Sequence, residues 1–158
     1  MNQPVPERNA PLWILSLMLL VSGNCALMFQ VVWIRELRLV FGATTASSAA
    51  VLAIFMAGLG LGNWLFGSRI DAAIRPLRCY GLLELGIALT AGISPFLLML
   101  VRQMYVNMGG QAALGSELAT LSRLAASAMI LAVPTILMGG TMPAAARAVS
   151  NAADPHRR

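Results

Sequence analysis

Glu84 is the residue whose type and position point most directly to chemistry. It lies inside an apolar run from about Cys79 to Val101. A charged carboxylate inside such a run costs a few kcal/mol on entering a bilayer, so it usually faces a partner, water or a substrate path. Two interpretations stay open. Glu84 either pairs with Arg75 or Arg78 near the membrane surface, or it binds a ligand or carries a proton, because burial disfavours its charged form.

A second polar group stands at the end of the first apolar run. Gln30, Arg35, Glu36 and Arg38 lie within about two helical turns of one another. Such a group could bind an anion or a carboxylate, or it could anchor a helix at the lipid headgroups together with Trp33. We take anchoring as the default interpretation.

Glycines recur at alternate positions from Gly58 to Gly62. A nucleotide-binding loop would need a preceding strand, a following helix and a third glycine where this chain has Asn63. The apolar residues on both sides argue against that reading. Gly58 and Gly62, four residues apart, instead predict close packing between two membrane helices.

Two prolines interrupt the last apolar run. Pro134 and Pro143, with Gly139 and Gly140 between them, predict a break in the helix, because proline cannot donate an intrahelical hydrogen bond. Such a break marks either a hinge or opening, or only a kink.

Residues typical of catalytic or metal sites are sparse. The only histidine is His156 near the end of the chain, and Cys25 and Cys79 lie in or beside apolar runs. Their spacing gives no metal pattern, so we interpret both cysteines as small packing residues. We expect no catalytic set, no metal and no cofactor.

The amino-acid composition indicates the environment in which these residues lie. Hydrophobic residues make up 58% of the 158-residue chain and charged residues 11%, with a mean hydropathy of +0.76. A soluble domain of this size cannot bury so much apolar surface, so we expect a lipid bilayer around most of the chain. The net charge is +5 and all 11 basic residues are arginine. They are scattered singly rather than clustered on one face, so we expect no nucleic-acid partner.

Four runs are long enough to cross a bilayer core of about 30 Å as helices. They cover about residues 12–34, 48–67, 79–101 and 124–146, within one transmembrane domain over 1–158. Leucines at helical spacing are consistent with a short interfacial helix over about 111–122. The predicted fold is an all-α integral membrane bundle of four transmembrane helices.

The arginines predict the orientation of this bundle. An even number of spans places both termini and the second loop on one side. That side carries seven arginines and the other carries four, so the positive-inside rule places both termini in the cytoplasm. The seven are Arg8, Arg69, Arg75, Arg78, Arg147, Arg157 and Arg158.

Ordered blocks between Ser22 and Arg147 resemble one family. The blocks are Ser22-Gly23, Ala26-Leu27, Gln30-Val31-Val32-Trp33, Phe41-Gly42, Phe55-Met56, Gly58-Leu59, Pro76-Leu77, Tyr80-Gly81, Leu83-Glu84-Leu85, Pro134-Thr135, Leu137-Met138-Gly139 and Thr141-Met142-Pro143. Together they are similar to the N-terminal membrane region of membrane-bound, transporter-fused spermidine synthase-like proteins. In those proteins a transporter-like region precedes an aminopropyltransferase domain, which this sequence lacks. The resemblance implies a polyamine-related module in a bacterial-type cytoplasmic (inner) membrane, without catalysis by this chain alone.

The segment from Gly67 to Arg75 is similar to the loop between helices two and three of major facilitator transporters. Gly67, Asp71 and Arg75 are spaced four residues apart, and in those carriers the acidic and basic residues form a charge lock. Ala72 stands where that pattern usually has arginine. Asp71 and Arg75 could still pair at helical i, i+4 spacing.

Two functions follow from these observations. The first is a non-catalytic membrane module that anchors or assembles with a partner protein through helix faces rich in small residues, such as Ala125–Ala128 and Ala132. The second is a small carrier or half-carrier that forms a homo-oligomer around a path for a cationic, polyamine-like substrate, with Glu84 as the counter-charge. We favour the module.

Overall fold

The computed structural model describes residues 11–41, 45–107 and 115–153. Four α-helices occupy almost all of these residues. They are α1 (Leu12–Phe41), α2 (Thr45–Asp71), α3 (Pro76–Asn107) and α4 (Ser116–Ala153).

All four helices are long and apolar enough to cross a membrane. The spanning segments are Leu12–Arg38, Ser48–Asp71, Pro76–Asn107 and Leu124–Ser150. Each helix extends beyond the apolar run predicted for it, because a helix continues through polar residues until the chain turns. The prediction of an all-α membrane bundle of four transmembrane helices is confirmed.

Helix α4 is the centre of the bundle, and α1 lies at its edge. In the most apolar window of α4, 39% of the residues are buried inside the protein, against 6% for α1. The most extensive contacts of the bundle join α4 to α2 and to α3, whereas α1 packs less closely against the other three helices.

Glycines hold α2 and α4 in close contact. A Cβ atom placed on Gly58 would collide with the side chain of Thr135, and one placed on Gly62 would collide with the carbonyl oxygen of Ile136 and lie 2.9 Å from the Cα of Gly139. Residue numbers rise together along this contact, so the two helices run parallel. Because lipid tails are as apolar as leucine, helices in a membrane associate through such close packing rather than through hydrophobic exclusion from water.

Two groups of buried apolar residues form the core. The larger group joins all four helices through Trp33, Leu37, Val51, Phe55, Ile87, Ala91, Leu98, Leu131 and Met138. The smaller group lies towards the turn between α2 and α3 and consists of Ile70, Tyr80, Leu83, Ala144 and Ala145.

The fourth span is not divided at Pro134 and Pro143, and a kink or hinge at these prolines stays a prediction. Both prolines lie inside the continuous helix α4. Pro134 is almost completely buried, and the hydroxyl of the adjacent Thr135 donates to the Leu131 carbonyl at 2.7 Å. The carbonyl that Pro134 leaves without a backbone donor is that of Ile130, and a proline is tolerated inside a membrane helix where neighbouring helices pack around it.

Residues 116–122 do not belong to a separate interfacial helix, as was predicted for about residues 111–122. Residues 111–114 lie outside the described residues, and residues 116–122 form the first turns of α4. The sequence between Ser116 and Leu124 contains neither glycine nor proline, so the helix that begins at Ser116 continues into the apolar span without interruption. The glycine lies just before it, at Gly115, where the backbone adopts a φ of +75° that glycine accommodates without strain.

Candidate functional site

Glu84 contacts α1 through a hydrogen bond. The hydroxyl of Ser22 donates to the Oε1 atom of Glu84 at 2.5 Å, and both side chains are only partly exposed. The structure therefore gives Glu84 a hydroxyl partner from another helix, where the sequence suggested an arginine near the membrane surface.

Tyr80 is the third member of this site. It lies one helical turn before Glu84 on α3, and only 4% of its surface is exposed. Its hydroxyl is buried and has no hydrogen-bond partner among the described residues. The hydroxyl is nevertheless close enough to Ser22 and Glu84 for all three groups to interact electrostatically. We refer to Ser22, Tyr80 and Glu84 as the carboxyl–hydroxyl site.

Apolar side chains of α4 lie beside this site. Ala144 and Ala145 pack in the same buried cluster as Tyr80, with Leu137 against its edge. Leu137 also lies close to Gly86 of α3. The polar side chain of Thr141 lies on the same face of α4, four residues from both Leu137 and Ala145, and its hydroxyl donates to the Met138 carbonyl at 2.7 Å.

An open apolar cleft reaches Tyr80 from the end of the bundle that carries the turn between α2 and α3. It is lined by Leu15, Met18, Leu19, Leu77, Tyr80 and Val149, together with two alanines of α4. Tyr80 thus belongs both to the cleft and to the carboxyl–hydroxyl site.

A second hydrogen bond joins α1 to α3 deeper in the bundle. The indole Nε1 of Trp33 donates to the Ser94 hydroxyl at 2.9 Å, and both residues are buried. The Trp33 ring also stacks on Phe29 with centroids 5.8 Å apart. Because Ser22 meets Glu84 and Trp33 meets Ser94, α1 and α3 run parallel.

The prediction that Trp33 helps to anchor α1 at the lipid headgroups is wrong. Trp33 is 1% exposed and lies in the main core. Gln30 is half-buried, Arg35 is exposed and Glu36 is half-buried. At about 100° per residue, Arg35 and Glu36 lie roughly 140° and 120° around the helix from Gln30. The helix therefore does not bring these three side chains together at one anion site.

The predicted helical pairing of Asp71 with Arg75 is also wrong. Asp71 is the last residue of α2, and Arg75 lies in the turn before α3 begins at Pro76. The i, i+4 spacing brings two side chains together only when both lie on the same helix. Asp71 is exposed and Arg75 is half-buried.

Most of the small α4 residues that were predicted to contact a partner protein pack at least partly against other helices of the same chain. Ser127 is 1% exposed, and Ala126, Ala128 and Ala132 are half-buried, so only Ala125 of this set is exposed. This α4 segment is therefore a weaker candidate for binding a partner than the sequence suggested.

The outward side of α2 carries a different row of small residues. Ala49, Ala53, Ala57 and Gly60 are exposed, and the same side includes the exposed amide of Asn63. We refer to these five residues as the outer α2 face. Within the described part of the chain, Asn63 has no side-chain hydrogen bond. Two large exposed side chains, Met56 and Trp64, project from the same side of the helix, one before Gly60 and one after it.

The arrangement at Glu84 offers both hydrogen-bond donors and hydrogen-bond acceptors. One carboxyl group and two hydroxyl groups supply oxygen atoms from two helices, without a histidine or thiol in the group. The described residues contain no group of three or more histidine, cysteine or acidic side chains placed to hold a metal ion.

The sequence alone did not identify Ser22, Tyr80 or Ser94 as functional residues. Each is a lone hydroxyl in an apolar run, and such residues in membrane helices commonly bond across to a neighbour. This tendency is the sequence feature that could have identified the three residues. The identity of each partner depends on how the helices are aligned.

Comparisons with known proteins give no relative from which a role could be transferred. No family model, no curated protein and no solved structure matches this chain.

Proposed function

We propose that this chain is a non-catalytic integral membrane module that assembles with a partner protein. The observation that carries the proposal is the outer α2 face, where the amide of Asn63 is exposed within a spanning helix. Asn63 lies eight residues before the end of α2, about 12 Å along the helix axis. At that depth, an unpaired amide facing hydrocarbon costs free energy, which a hydrogen bond to another helix would recover.

The neighbouring small residues support the same role. Ala57 and Gly60 leave space for a second helix to cross close to the α2 backbone between Met56 and Trp64, and close backbone approach is how transmembrane helices associate. The glycines Gly58 and Gly62 cannot serve a partner, because α4 already covers them. The occupant we propose is a transmembrane helix of another polypeptide that carries a polar side chain opposite Asn63.

The resemblance to the membrane region of spermidine synthase-like proteins suggests what such a partner would do. A separately encoded aminopropyltransferase-like protein at a bacterial-type inner membrane fits this proposal, with polyamine as the small molecule concerned. We place both termini of the module in the cytoplasm, because that side would then carry the larger number of arginines.

Native mass spectrometry after mild-detergent purification from the native membrane tests the proposal. We expect a second polypeptide in fixed ratio, lost in the variant Asn63→Leu. The matched control is Asn24→Leu, because the exposed amide of Asn24 already donates to the Leu20 carbonyl of its own helix at 2.7 Å. A monomer, or a partner retained equally in both variants, would overturn the proposal.

The hydrogen bond between Ser22 and Glu84 favours a second candidate function. An acidic group inside a span is typical of carriers for cations and protons. A homo-oligomer without a partner, together with polyamine binding lost in Glu84→Gln, would favour an oligomeric carrier over the module.

A further inference from the structure

We propose that the apolar cleft beside Tyr80 binds one acyl chain of an anionic phospholipid, whose headgroup lies at the mouth of the cleft near Arg75. The cleft is formed by α1, α3 and α4. None of its lining residues belongs to the outer α2 face, so this inference is independent of the proposed partner protein.

The cleft exists because α4 presents small side chains where its neighbours present large ones. Ala145 and Ala148 form part of the α4 wall, opposite Leu15 and Leu19 of α1. Helix α1 packs less closely than the other helices and leaves the gap open. Atoms that line an unfilled gap lose dispersion contacts. In a bilayer the surrounding solvent is hydrocarbon, so a lipid chain is the molecule at hand to restore these contacts.

The lining of the cleft offers no polar side-chain group to an occupant. Its side chains are aliphatic or thioether groups and the aromatic ring of Tyr80, whose hydroxyl is buried. An irregular peptide segment would bring backbone N–H and C=O groups that require hydrogen-bond partners inside a membrane. A hydrocarbon chain carries no such groups, and it is therefore the occupant that this lining fits.

The size of the cleft distinguishes a lipid chain from a partner helix. The cleft has a volume of about 210 Å³, including its open mouth. A single turn of an α-helix, about 10 Å across and 5.4 Å long, fills roughly twice that volume. A helix therefore does not fit into the cleft, whereas an acyl chain, which is one methylene group wide, does.

The position of the cleft places its mouth near the membrane surface, among basic residues. Leu77, which lines the cleft, is the second residue of α3. Arg78 follows it directly, and the half-buried Arg75 lies two residues before it. The whole segment 69–78 carries three arginines and a single acidic residue. Arginines at the membrane surface attract anionic lipids, so the charge at this end of the bundle favours an anionic headgroup.

Native mass spectrometry of the purified full chain tests the headgroup. Phosphatidylglycerol and phosphatidylcholine with identical acyl chains are added separately to the detergent solution. We expect one phosphatidylglycerol molecule per chain, bound more tightly than phosphatidylcholine. Arg75→Gln should weaken this binding about fivefold, which corresponds to about 1 kcal/mol for one arginine near an anionic surface. The control is Arg102→Gln, an exposed arginine towards the other end of α3, which should leave binding unchanged.

Substitutions that fill the cleft test the acyl chain separately. Ala148→Leu places a larger side chain inside the cleft, and we expect it to abolish the bound phosphatidylglycerol. Ala146→Leu makes the same change at an exposed position of α4 and should retain the lipid. Val149→Phe narrows the cleft at a half-buried residue and decides the question if Ala148→Leu fails to fold.

Three results would overturn the proposal. The first is equal binding of phosphatidylglycerol and phosphatidylcholine, or binding of neither. The second is an equal loss of binding in Arg75→Gln and Arg102→Gln. The third is binding of phosphatidylglycerol that persists unchanged in the folded variants whose cleft is filled.

Discussion

Gly62 of α2 and Gly139 of α4 lie directly against each other across the centre of the bundle. A Cβ atom on either glycine would stand 2.9 Å from the Cα of the other and closer still to a backbone carbonyl oxygen of the opposite helix. Backbone atoms cannot move aside as a flexible side chain can. The separation of α2 and α4 is therefore set by the absence of side chains at these two positions.

Gly62→Ala is expected to destabilise the protein by about 2 kcal/mol or more, because the added methyl group forces α2 and α4 apart and inserting a methylene into a well-packed site typically costs about 1–3 kcal/mol. Unfolding by increasing denaturing detergent, followed by circular dichroism, measures this change. The matched control is Gly60→Ala, two residues away, where an added Cβ meets nothing within 4 Å. Equal destabilisation by both substitutions would contradict the prediction.

Ser94→Ala is expected to destabilise the protein by about 1–2 kcal/mol, since it leaves the buried indole N–H of Trp33 without its acceptor. The same unfolding assay applies. A double-mutant cycle with Trp33→Phe should give a measurable coupling energy between the two positions. Ser16→Ala is the control, because Ser16 is exposed and donates only to the Leu12 carbonyl of its own helix. A coupling energy near zero would argue against the hydrogen bond.

Quenching of tryptophan fluorescence by brominated lipids should distinguish Trp64, which is exposed on the outside of the bundle, from Trp33, which is buried in the core. Trp64 is 76% exposed and Trp13 is 68% exposed, whereas Trp33 is 1% exposed. In variants that retain one tryptophan and replace the other two with phenylalanine, we expect strong quenching of Trp64 and little quenching of Trp33. Strong quenching of Trp33 would show that α1 presents this residue to lipid instead of to the core.

The proposed orientation predicts which side of the membrane the turn between α2 and α3 occupies. Ile74 in this turn is 86% exposed and provides a site for a reporter thiol. In a background with Cys25→Ala and Cys79→Ala, Ile74→Cys should react with a membrane-impermeant maleimide in inside-out vesicles and be protected in right-side-out vesicles. The reverse pattern would place the termini outside the cytoplasm.

The helices could be predicted from the sequence because the length and hydropathy of each run are local properties. The side of α1 that carries Trp33 could not be predicted, since α1 is apolar around most of its circumference and gives no directional pattern. The continuity of α4 through Pro134 could not be predicted for a related reason. A proline indicates a lost hydrogen bond, but the burial that makes the loss tolerable comes from other helices.

The carboxyl–hydroxyl site could likewise be predicted only in part from the sequence. Glu84 could be singled out by its charge alone. Its link to Ser22 spans 62 positions along the chain, and it depends on the alignment of α1 with α3. That alignment is determined jointly by Trp33, Ser94 and the packing against α4, so no single residue predicts it.

The central position of α4 has a consequence for the synthesis of this protein. During translation α1, α2 and α3 enter the membrane before α4 has been made, yet α2 and α3 make their most extensive contacts with α4. Until α4 is inserted, Gly58 and Gly62 lack the backbone that covers them in the folded bundle. The bundle therefore acquires its core only after the fourth span has entered the bilayer.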